Sequence, residues 1–164
     1  MPADSTYADA PSGEGDPAPF DGRPAATGAV TRGTTRLFRE RGEACLLEVI
    51  LKTGRRADIM ALDRSGAVTI LEVKSGVEDY RADGKWRDYL PFCDRFYFAV
   101  PIGFPVEILP DEVGLVVADA YGASIERPAA EGTMNASRRK ALMLRYARQA
   151  AERLMRIGDP SAGL

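Results

Sequence analysis

Residues 68–74 read VTILEVK, followed by Ser75-Gly76. Val68, Ile70, Leu71 and Val73 belong in a buried strand, yet Glu72 and Lys74 stand among them. A charge in an apolar strand costs several kcal/mol unless it is paired or coordinated. Alternation puts Glu72 and Lys74 on one face, about 7 Å apart along the strand. A structural ion pair at a strand end would explain them, and so would a catalytic site.

The preceding residues sharpen the choice. Asp58–Leu62 (DIMAL) forms another strand, and Asp63–Gly66 the turn that joins the two. If Arg64-Ser65-Gly66 is a three-residue loop, Gly66 supplies its left-handed position. Asp63 then faces Ala67, and counting outward sets Asp58 opposite Glu72, with β-carbons about 4.5–5.5 Å apart. Facing carboxylates repel, and burial raises the penalty. Something positive must sit beside them: Lys74, or a divalent cation held by oxygen ligands. Glu48, the one charge in CLLEVIL (45–51), could bring a third carboxylate from the neighbouring strand. A one-residue slip of register would break this arrangement.

Composition narrows the chemistry. At 164 residues, 45% hydrophobic and 28% charged, the chain reads as one soluble globular domain. No apolar run approaches a membrane span, and the N-terminus lacks a signal-peptide pattern, so a cytoplasmic location is expected. Cys45 and Cys93 form no CxxC and read as reduced core residues. The absence of histidine removes Ser-His-Asp and Cys-His catalysis and most zinc sites. Carboxylates, lysine, arginine, tyrosine and an oxygen-bound metal remain.

Charge is unevenly spread. Residues 1–22 carry five acids and no base, while residues 136–157 carry seven bases against Glu152 alone. The asymmetry points to a polyanionic partner, and a solvated helix face with an acidic tail explains it equally well. Only four lysines accompany eighteen arginines, so Lys74 runs against local habit. A compact ammonium suits holding a water beside a phosphate better than a forked guanidinium does.

Along the chain, 1–28 is rich in Pro, Gly, Ala and Asp and reads as a disordered lead. A helix is expected over 31–41, with Leu37 and Phe38 inward, then three strands at 45–51, 58–62 and 68–74. Trp86, Tyr89, Leu90 and Cys93 fall at helical spacing, which predicts a helix from about Asp83, ended or kinked by Pro91. Two further strands follow at 95–100 and 114–118, and 119–133 is turn-like with room for one short strand. An amphipathic helix over 136–157 would place Leu142, Ala147, Ala150, Leu154 and Ile157 near one face. The expected organisation is a domain at 29–133, a basic C-terminal helix at 134–157 packed on or beside it, and a tail at 158–164.

The run Asp58-x13-Glu72-Val73-Lys74, after one helix and before another, resembles the PD-(D/E)XK nuclease superfamily. The wider stretch GRRADIMALDRSGAVTILEVKSGVEDYRADGKWRDYLPFCDRFYFAV, with the later EILPDEVGLVVADAYGASI, is similar to the MmcB family of that superfamily, bacterial proteins linked to DNA repair. The similarity covers about 40–127. It implies an α/β fold with a restriction-endonuclease-like αβββαβ core, a mixed central sheet flanked by helices. It further implies that Asp58, Glu72 and the Val73 carbonyl hold Mg²⁺, with Mn²⁺ as substitute, and that Lys74 positions or helps deprotonate the attacking water. Glu48 and Lys85 are the candidates for accessory positions.

DNA is the expected partner, which would associate the protein with the nucleoid. Other repair proteins and a second copy of the chain are further candidate partners. Arg55, Arg56, Arg81, Lys85 and Trp86 are candidate DNA contacts, through phosphate for the cations and base stacking for the indole. For the cations the alternative is a solvated surface, and for Trp86 it is the core. Three functions stay open: a Mg²⁺-dependent deoxyribonuclease, an inactive DNA-binding accessory with the same fold, and a protein-interaction module.

Overall fold

The computed structural model describes residues 24–161. Its centre is a six-stranded sheet, ordered β1 (Ala44–Ile50), β2 (Arg56–Leu62), β3 (Val68–Val73), β4 (Arg95–Pro101), β5 (Gly114–Ala118) and β6 (Ala123–Arg127). The first three strands form an antiparallel meander, β3, β4 and β5 run parallel, and β6 returns antiparallel. Helix α1 (Ala25–Glu40) leads into β1. Helix α2 (Val77–Ala82) and a 3₁₀ helix (Trp86–Phe92) make the crossover from β3 to β4, and α3 (Ala136–Gly158) follows β6. This is the mixed α/β, restriction-endonuclease-like architecture, with a covered central sheet.

The β2–β3 hairpin has the register its loop length requires. Asp63 N–H donates to the Ala67 carbonyl at 3.1 Å, and Gly66 sits at φ 86°. Pairs run from Leu62 with Val68 to Ile59 with Leu71, which sets Asp58 across from Glu72. Every residue of β3 is buried because both faces of the sheet are covered. Val68 and Ile70 pack with Trp86, Phe96, Phe98 and Leu142, whereas Leu71 and Val73 pack with Val30, Phe38 and Tyr97 beneath α1.

Several elements depart from expectation. Helix α1 starts at Ala25, inside the stretch expected to be disordered; residues 1–23 and 162–164 lie outside the described residues. The segment AATGAVTRGTT has poor helix propensity. It is held by packing, with Gly28, Val30, Thr31 and Gly33 all buried. The expected helix from Asp83 is instead α2 followed by the 3₁₀ helix, with Pro91 inside the latter. Three residues per turn brings Trp86 and Tyr89 onto one side and leaves Leu90 41% exposed. The short strand within 119–133 is β6.

Helix α3 is the largest departure. Of the five residues expected near its buried face only Leu142 is buried, and Leu154 and Ile157 are 69% and 76% exposed. Polar side chains hold the helix instead. Tyr146 donates to the Ala44 carbonyl at 2.9 Å, and Gln149 bonds both the N–H and the carbonyl of Ile50 at 3.0 Å. Arg153 donates to the Leu47 and Glu48 carbonyls. Since β1 is an edge strand, α3 supplies partners that a neighbouring strand would otherwise provide.

Gly33 marks the closest approach of α1 to the β5–β6 turn. A Cβ there would lie 2.1 Å from the Asp119 carbonyl oxygen and 2.3 Å from that of Gly122. Both contacts are backbone, so the helix must back away. Gly33→Ala should lower stability by about 1–3 kcal/mol, measured by chemical denaturation; an unchanged midpoint would mean that α1 shifts freely on the sheet.

Candidate active site

The β2–β3 ladder stops at Ile59 and Leu71, one residue short of the two acids. Beyond it, side chains replace the backbone acceptors. The Asp58 N–H donates to Glu72 Oε1 at 3.3 Å, and the Val73 N–H donates to Asp58 Oδ2 at 2.9 Å. Each carboxylate is therefore tied to the other's strand, and the pair faces one side of the sheet. Glu72 is 3% exposed. Asp58 is half-buried and lines an open concavity of about 470 Å³ with Thr53, Gly54, Arg55, Arg56 and Tyr89.

Lys74 is buried beside this pair. Its Nζ lies 2.6 Å from Asp83 Oδ2 and 3.9 Å from Glu72 Oε2. Burial pushes the lysine down, but the bond to Asp83 and the charges of Glu72 and Asp83 outweigh it, and the group ends above its ordinary value. Lys74 is thus a charged ammonium. For Asp83, burial raises the carboxyl, but the bond to Lys74 and the lysine's charge hold it below the usual range. Glu72 behaves oppositely. Burial, and then the Asp58 charge, push it up to about 8 despite Lys74. Fully ionised, Asp58, Glu72, Asp83 and Lys74 would carry two net negative charges in a largely dehydrated cluster.

The other expected residues separate. Glu48 stands opposite Asp58 in the register, but its φ of 50° breaks the strand alternation. Val49 and Leu51 consequently fill the core, while the Glu48 carboxylate is 42% exposed and 3.9 Å from Arg56. It does not join Asp58 and Glu72: among the described residues no group of three or more His, Cys, Asp or Glu side chains could hold a metal ion. Trp86 is 3% exposed, stacked on Phe96 and covered by the Arg87 guanidinium 4.2 Å from its ring, so base stacking would require opening the core. Arg55 pairs with Asp88 at 2.8 Å at the rim, and Arg56 is exposed beside it. Arg81 and Lys85 are exposed on the crossover, and Lys85 contributes its backbone N–H to Asp83 Oδ1 at 3.3 Å.

Two residues escaped the sequence reading. Asp83 entered the sequence reading only as the start of the expected helix, although a buried lysine demands a nearby acid. Tyr89 entered it only through its helical spacing; its hydroxyl donates to the Arg56 carbonyl at 2.9 Å at the wall of the concavity. Burial, then the Glu72 and Asp58 charges, raise the phenol.

Fold and site together describe a restriction-endonuclease-like domain with two paired acids and a buried lysine at the fork of its central hairpin. The chain belongs to the MmcB-like family of DNA repair proteins, whose model matches residues 15–161. The solved structure of SPO1766, a protein of unknown function from Silicibacter pomeroyi, is similar, with a TM-score of 0.82 and 40% identity. The match covers 88% of this chain and 97% of that one. No curated protein matches. Among the described residues no helix is long and apolar enough to cross a membrane.

The state of Glu72 makes stability fall as pH rises. Below about pH 4.5 its carboxyl is protonated in native and unfolded chains alike. Between about 4.5 and 8 the native protein keeps a proton that the unfolded chain has released, so unfolding frees a proton and higher pH favours it. In metal-free buffer Glu72→Gln should remove this part of the decline and raise Tm at pH 8, by roughly 2–4 °C per kcal/mol relieved. Melts across this range, showing equal slopes for parent and variant, would exclude a protonated Glu72.

Proposed function

We propose that this chain is a metal-dependent deoxyribonuclease of DNA repair, hydrolysing phosphodiester bonds at Asp58, Glu72 and Lys74. The observation that carries the reading is the two carboxylates meeting across the hairpin with a buried ammonium behind them. The donors fit a hard divalent cation, because their oxygens, and the two net negative charges the cluster carries once Glu72 is ionised, match what such ions require. Asp58, Glu72 and the Val73 carbonyl would hold Mg²⁺, or Mn²⁺ in its place, with water completing the set. When bound, such a cation polarises the scissile phosphate and makes water a stronger nucleophile.

The chain's own residues do the positioning. Asp58 and Glu72 cannot rotate freely, since each accepts an N–H from the other strand. Such restraint pre-organises a site before substrate arrives. Lys74, being protonated, acts as a donor that orients water or steadies a phosphate oxygen, and does not take up a proton. Asp83 fixes where that ammonium points. The rim cations Arg55 and Arg56 can meet phosphate.

The alternative reading is a DNA-binding repair accessory that keeps the fold without the reaction. The 2.6 Å contact of Lys74 with Asp83 favours it, because the ammonium is already satisfied by a structural partner.

Labelled flaps, single strands and junctions incubated with Mg²⁺ or Mn²⁺ decide between these readings. The parent should release cut products, whereas Lys74→Ala and Asp58→Asn should lose about a hundredfold in rate or more while still binding DNA. Binding by the parent without cutting any substrate would leave the accessory. Asp58→Asn should also be neutral or stabilising without metal, because it relieves repulsion; a marked loss of Tm would identify a structural pair.

A further inference from the structure

Helix α3 borders two adjoining concavities on the surface that it shares with the β1–β2 turn. One, of about 420 Å³, is lined by Lys52, Phe92, Arg138 and Arg145 among others. The second, of about 570 Å³, is lined by Arg145, Arg148, Arg153 and Arg156. Ala141 and Arg145 belong to both, so the two form one trough. Six cations line it against the single acid Glu152, which lies 3.8 Å from Arg148. Among the described residues Lys52, Arg145 and Arg156 have no ion-pair partner. Arg138 is held in place by the Pro91 carbonyl at 3.2 Å and lies over the Phe92 ring.

The extent of this charge identifies its ligand. A small anion needs one or two cations in one pocket. Arg138 to Arg156 spans about 27 Å of helix, long enough to follow a row of phosphates, which recur on each strand about every 3.4 Å of duplex axis. The trough also leads somewhere. Lys52 opens the β1–β2 turn, and the following residues, Thr53 to Arg56, line the concavity that contains Asp58. One turn thus joins the cationic trough to the paired acids.

We propose that the α3 trough is the docking track for the sugar-phosphate backbone of the DNA on which the site acts, gripping it without regard to sequence. The inference rests on DNA being the substrate, as argued above. Arginine and lysine heads projecting from a helix supply charge for phosphates. The apolar floor of Phe92 and Leu142 carries their aliphatic stems. Lines of uncompensated cations attract a polyanion and release its counterions, which makes binding strongly dependent on salt.

The test uses the full-length protein in chelator, with a short labelled duplex of mixed sequence and fluorescence anisotropy as readout. Arg145→Ala, Arg148→Ala and Arg156→Ala combined alter exposed positions. The triple variant should bind at least about tenfold more weakly and show a salt slope shallower by about three. Replacing the same three residues with lysine should retain most of the affinity. Circular dichroism melts check that every variant folds. If the triple alanine variant keeps the parent's affinity and slope, the track is refuted while DNA as substrate survives. A parent that binds no DNA even at low salt refutes both. Sedimentation supplies the last arm: a parent dimer broken by the triple variant, with DNA binding unchanged, would make the trough an interface between two copies and overturn the proposal.

Discussion

Two acids held together inside a sheet set the terms for the rest of this structure. Asp58 and Glu72 sit where the β2–β3 ladder ends, and their repulsion grows as solvent is removed. The fold restrains them by exchanging backbone partners: each carboxylate accepts an N–H from the facing strand. The fork therefore keeps its geometry despite its electrostatics. Rigidity comes from behind it, where β3 lies buried between two apolar layers.

The crossover from β3 to β4 has two tasks. Its 3₁₀ helix places Trp86 and Tyr89 against Phe96, closing one face of the sheet. Just before that helix, the chain returns Asp83 to Lys74. A buried ammonium without an acid would be driven toward its neutral form; with Asp83 it stays charged and directed. The crossover thereby sets the protonation state of the central lysine as well as completing the core.

Helix α3 solves a different problem. The edge of β1 presents N–H and carbonyl groups that would invite pairing with another chain. Tyr146, Gln149 and Arg153 occupy these groups, so the helix attaches through polar bonds with Leu142 as its buried anchor. A helix bound in this way has little need of a broad apolar face. Its remaining surface is free to carry cations, and the trough beside β1 follows from that.

The fold class and the central pair could be read from the chain because both are local. Strand alternation has a period of two, and the Gly66 loop fixes the register, so Asp58 and Glu72 had to meet once the hairpin formed. The apolar run of β3 likewise announced a buried strand. The sequence alone could not reveal the partner of Lys74, the reversal at Glu48 or the attachment of α3. Asp83 reaches Lys74 only where α2 ends and the chain turns into the 3₁₀ helix, and a 3₁₀ period can imitate helical spacing over so few residues. Glu48 looked inward by simple alternation, but burying Val49 and Leu51 costs less than a third acid at the fork. Such choices compare energies between segments distant in the chain, and those terms exist only after the sheet has brought them together.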